Sequence, residues 1–248
     1  MIKHICATLL IACNIISTPV SYENKEQFIT IIKECAVEYN AYHSNPQVRV
    51  PVALVVAVAL CPVLISVSPD ARLLYSLYSL AVIGLFGISS CYHGFSWSAS
   101  AHDVMRRVDH SMIFITIAAT YTPISWLLLP RSAAITVLVA VWTGALVGVL
   151  IMIFWPTAPQ IVLVPVFLVV GWSALLVIDD FFVSLSPAGF IFLLLGGAFH
   201  TVGAIVYGLK KPDPWPNAFG FHEIFHFFVV CGIASHYGVI AFIALPAA

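Results

Sequence analysis

From residue 48 to its end, the chain alternates long apolar runs with short polar or proline-bearing breaks. A bilayer's hydrocarbon core is about 30 Å thick, which a helix of roughly 20 apolar residues crosses. Seven runs meet that length, over approximately 48–68, 72–95, 109–129, 132–154, 160–178, 187–208 and 221–245. The breaks are Ser68-Pro69-Asp70 with Arg72, Trp97 to Val108, Pro130-Arg131, Trp155-Pro156 through Pro159, Asp179-Asp180, and Lys210 to Asn217 with its prolines. Connections this short make successive helices antiparallel neighbours. The pattern predicts an all-α fold, an integral membrane bundle of seven transmembrane helices over residues 48–248. Neither a soluble domain nor an internal repeat is visible.

Residues 1–47 differ in character. Lys3 followed by the apolar run Ile5 to Ile16 resembles a signal peptide, with Ser17-Thr18-Pro19 as a small-residue region. Cleavage would put the next segment outside, so an uncleaved surface helix agrees better with the charges. Residues 21–47 are polar and of mixed charge, and read as a cytoplasmic segment with some helix. With the N-terminus cytoplasmic, Lys3, Lys25, Lys33, Arg49, Arg106, Arg107, Lys210 and Lys211 fall inside, and only Arg72 and Arg131 fall outside. That asymmetry is the positive-inside rule. The expected location is the plasma (inner) membrane, crossed many times.

Composition narrows the class further. Hydrophobic residues make up 61% of the 248 and charged residues 8%, against about 25% charged in soluble domains. No basic block suits nucleic acid. The six cysteines are scattered without a Cys-x-x-Cys pair, so neither a disulfide framework nor a thiolate metal site is expected.

Ionisable groups at or within a membrane helix are costly and mark function by default. Ser89 and His93 lie four apart, on one face near the end of the second run. Arg106-Arg107-Val108-Asp109-His110-Ser111 opens the third run. There, an acid in a first helical turn favours the helix dipole, which accounts for Asp109 only in part. Phe221-His222-Glu223-Ile224-Phe225-His226 opens the seventh. His222 and His226 are spaced as two imidazoles on one metal require, and the string matches His-Glu-x-x-His, whose glutamate serves as base in zinc proteases. Any one of these residues alone could be an interfacial side chain bonded to a loop. His200 and His236 read instead as satisfied core histidines, since His236 lies about 15 Å along the helix from His226. Ser89, His93, Asp109, His222 and His226 come from three runs and share one predicted membrane face. Three histidines with a fourth position open are the ligand set of catalytic zinc.

These stretches resemble the hemolysin III branch of the progestin and adipoQ receptor family. The resemblance rests on Ser89-x-x-x-His93, Arg106-Arg107-x-Asp109-His110-Ser111, Tyr121-Thr122-Pro123, Gly203-Ala204-Ile205 with Tyr207, and Gly220 to His226, in that order. It implies seven helices, zinc held by His93, His222 and His226, and Asp109 and Ser89 as the catalytic pair beside it. One family motif, Glu-x-x-Asn-x-x-Thr-His before the first helix, is degraded. Asn40 takes the asparagine's place, while Val37, His43 and Ser44 stand where Glu, Thr and His belong.

The leading expectation is a zinc-dependent hydrolase whose substrate is a membrane lipid or its acyl chain, held through a ceramide-like amide or an ester. Alternatives are a non-enzymatic receptor or lipid sensor stapled by zinc, an intramembrane protease using Glu223, and a cytolytic hemolysin. Glu223 is rotated about 100° from His222 around the helix, which weakens the protease reading. A pore would need polar lumen stripes that the runs do not carry.

Overall fold

The computed structural model describes residues 62, 63, 66 and 68–247, apart from 156 and 216–218. The first predicted run and the segment 1–47 lie almost wholly outside the described residues, as does the side of the membrane that the N-terminus occupies. The chain falls into two units that divide between His102 and Asp103.

Among the described residues, six helical segments are long and apolar enough to cross a membrane: Pro69–Gly94, Ala99–Leu128, Arg131–Phe154, Gln160–Ser184, Pro187–Leu209 and Phe221–Ala244. The described part is all-helical, and its one β pairing is an isolated bridge between Trp215 and Phe219. In the first unit, helix α1 (Pro69–Gly94) starts where the sequence signals a start. Ser68 accepts from the Ala71 N–H at 3.4 Å, Pro69 occupies the first turn and Asp70 follows. Its far end is closed by the Trp97 indole, which donates to the carbonyls of Cys91 at 3.2 Å and Tyr92 at 3.3 Å.

Helix α2 (Ala99–Leu128) begins ten residues before the third predicted run. The polar stretch Ala99 to Val108, expected as a break, is helical and is entered from Ser98, whose carbonyl accepts from the His102 N–H at 2.8 Å. Asp109 therefore stands in the third turn rather than the first, and the helix-dipole account of it fails. After α3 (Arg131–Phe154), the fourth described span, matching the fifth predicted run, is one continuous helical passage with a change of winding. It runs as α4 (Gln160–Gly171), a 3₁₀ stretch (Trp172–Val177) and α5 (Ile178–Ser184). Asp179 and Asp180 lie inside this passage, so the break predicted there belongs instead at Leu185 and Ser186.

The change of winding has an identifiable cause. The Tyr121 hydroxyl from α2 donates to the Gly171 carbonyl at 2.6 Å and accepts from the Ala174 N–H at 3.0 Å. It stands between two groups that would otherwise pair along the helix. In hydrocarbon every backbone group needs a protein partner, and this hydroxyl serves both.

Helices α6 (Pro187–Leu209) and α7 (Phe221–Val239) form the most extensive helix pair. Small residues allow the close approach, as is usual between membrane helices. A Cβ on Gly196 of α6 would collide with the His236 ring, and one on Gly232 of α7 with the His200 ring. The outward faces carry large apolar side chains, with Phe154 81% and Val183 83% exposed. Water would not tolerate such a surface, but acyl chains do.

Candidate metal centre

The start of α7 is held by two carboxylates. Asp213 Oδ1 accepts from the Phe221 N–H at 3.1 Å, and Glu223 Oε2 accepts from the Gly220 N–H at 2.8 Å. The second bond is half of a capping box. Residue 220 must be small, because a Cβ there would run into Asp213 Oδ1. Glu223 is exposed and occupied with the cap. The glutamate of the His-Glu-x-x-His string is thus a helix-start residue, and its geometry lends no support to a protease.

With the first turn fixed, His222 and His226 project one turn apart. Their Nε2 atoms are 2.9 Å apart, and the ring centroids 4.6 Å, at 79° to each other. His93 lies in the last turn of α1, exposed, with its ring 4.6 Å from that of Tyr92. Within the second unit, His222 and His226 make a pair able to share one metal ion, while His93, the third expected ligand, belongs to the first unit. Neutral imidazoles in a set of three suit zinc, which takes nitrogen ligands and, in catalytic sites, keeps a fourth position open. The donor set therefore fits the metal that the sequence led us to expect.

Asp109 is buried on α2, and its Oδ2 is 3.7 Å from His110 Nδ1. Ser89 is half-buried on α1, one turn before His93. Beginning next to Asp109, at His110, runs a chain of hydrogen bonds that sequence reasoning missed. His110 Nδ1 is 2.8 Å from the Arg106 carbonyl, and its Nε2 is 2.9 Å from the Tyr207 hydroxyl of α6. The Tyr207 ring lies 6.1 Å from that of His222 and 5.0 Å from that of Phe225. Motif matching singled out His110 and Tyr207 but gave neither a role. Polar side chains at helix ends were the available signal, and pairing across 97 positions was not.

His200 and His236 are core histidines, as expected. His200 Nδ1 is 2.7 Å from the Gly196 carbonyl and His236 Nε2 is 3.3 Å from that of Leu193, with the rings stacked at 5.5 Å.

Apolar helices and a histidine cluster define an integral, multi-pass membrane protein with a candidate metal centre. The comparisons then fix its relatives: the Haemolysin-III related family matches residues 43–237, and the chain belongs to it. It is 33% identical over 168 residues to the Hemolysin-3 homolog of Bacillus subtilis (strain 168), spanning 68% of this chain and 76% of that one. Hemolysin-3 of Bacillus cereus is 28% identical over 179 residues, 72% of this chain and 78% of the relative. More distant is the Adiponectin receptor protein of Drosophila melanogaster, 22% identical over 206 residues, 73% of this chain and 45% of the relative.

Proposed function

We propose that this protein is a zinc-dependent hydrolase of the plasma membrane, cleaving an acyl-lipid amide or ester such as the amide of a ceramide-like lipid. One observation carries the reading: the Nε2 atoms of His222 and His226 stand 2.9 Å apart at the start of α7, and the family motif supplies His93 as the third imidazole. Zinc held by these residues supplies Lewis acidity and a nucleophile at neutral pH.

The chain's own residues do the rest. Neutral imidazoles at His93, His222 and His226 would hold the metal. The buried carboxylate of Asp109 takes the proton of the attacking water and returns it to the leaving amine or alkoxide. The Ser89 hydroxyl donates to the oxyanion as the carbonyl is attacked. The cytoplasmic N-terminus expected from the charges puts this chemistry at the inner leaflet. An acyl chain enters from lipid between helices, which the apolar outer faces permit.

The test is hydrolysis of N-acyl and O-acyl lipids by purified protein in bilayer discs, before and after chelation. Turnover that vanishes on chelation and returns with zinc supports the reading; turnover indifferent to zinc overturns it. A second reading has one observation behind it, the kinship with a protein named as a receptor. There the metal staples helices and no lipid is cleaved. Zinc-loaded protein that is stabilised by the metal and inert to every amide and ester would favour it.

A further inference from the structure

We infer that Tyr207 and His110 form a positioning pair that sets the orientation of His222; this rests on the zinc reading above and deepens it. The hydrogen-bond partners decide which atom holds each proton. The Arg106 carbonyl can only accept, so the His110 Nδ1 that it meets at 2.8 Å carries a hydrogen. In the neutral ring, Nε2 then has a lone pair, and the Tyr207 hydroxyl 2.9 Å away donates to it. Every group in the chain has one direction of donation.

That assignment decides what Tyr207 does. Its proton is committed to His110, so it is no acid for a departing substrate group. Its ring, however, is fixed at the hydroxyl by the bond to α2, while its body lies against His222 and Phe225 of α7. His222 sits in the first turn of α7, where few backbone bonds restrain it. Without that bond, the Tyr207 ring is free to turn, and the His222 imidazole loses the wall that fixes its rotamer. Partners that orient a ligand in this way typically contribute 10- to 100-fold in metal affinity.

The test uses the full chain in detergent, with zinc affinity from chelator competition and the visible spectrum of the cobalt-substituted protein. Tyr207→Phe keeps the ring and removes only the hydroxyl. It should weaken zinc binding about tenfold or more and shift the cobalt bands, because the ligand field changes. His110→Ala should do the same, and the double variant should add little, since both cut one chain. Thr201→Val, on the same helix but bonded to Trp172 at 2.9 Å, should leave both readings unchanged. Should Tyr207→Phe fail to fold, His110→Ala alone carries the test, with the same expected shift. Wild-type protein that binds no zinc removes the underlying reading and this inference with it. Wild-type protein with one zinc, beside variants of unaltered affinity and spectrum, overturns the positioning pair alone.

Discussion

Replacing Tyr121 with phenylalanine tests how the fold handles backbone polarity inside the membrane. The substitution keeps the ring and deletes a hydroxyl bonded to both the Gly171 carbonyl and the Ala174 N–H. A buried group deprived of its partner costs about 1–3 kcal/mol. Two groups set an upper range of about 2–6 kcal/mol. Two effects pull that down. Hydrogen bonds between membrane helices average only about 0.6 kcal/mol by mutation, because the separated helices find other partners. Here, too, the carbonyl and the N–H could pair directly if the 3₁₀ stretch tightened. That closure would displace the Trp172 indole, which donates to Thr201 at 2.9 Å, so it is incomplete and about 2 kcal/mol remains. For a chain of this size that lowers Tm by about 4–8 °C. The assay is thermal unfolding in detergent followed by tryptophan fluorescence, wild type beside Tyr121→Phe. A change under about 1 °C would mean that the ladder closes freely and that the hydroxyl does not cause the change of winding.

Three further outcomes are expected. Gly232→Ala puts a methyl group into the His200 ring, so it should force α6 and α7 apart at a cost of about 1–3 kcal/mol, read as a lower Tm, with a smaller effect for Ala204→Ser on α6. Glu223→Gln should retain zinc and lipid turnover, because an amide oxygen still accepts from Gly220; loss of turnover would revive the protease reading. Asp109→Asn should keep zinc and lower turnover by about 100-fold or more, whereas unchanged turnover would remove Asp109 from the reaction.

Much of this molecule was legible in its hydropathy, because a bilayer is a severe solvent. Six of the predicted runs correspond to described spans, and from Arg131 to Phe154 the boundaries agree within a residue. The errors share one cause. Hydropathy reports which residues face lipid, whereas a helix is defined by its backbone bonds. The polar residues 99–108 therefore looked like a loop although α2 had already begun, and Asp179-Asp180 looked like a break although the backbone continues through it. The candidate site was legible where both members lie on one helix, as with His222 and His226. Glu223 shows the limit of a motif: the string matched a catalytic pattern, and local capping claimed the carboxylate. The bond between His110 and Tyr207 depends on how α2 and α6 pack, and no spacing encodes it.

The central claim is tested most directly by counting metal in the purified protein, wild type beside His93→Ala, His222→Ala and His226→Ala. The account predicts about one zinc per chain in the wild type and its loss in each variant, with folding preserved as judged by helical circular dichroism. A gently purified wild type free of metal, or a His222→Ala protein that keeps its zinc, would contradict it.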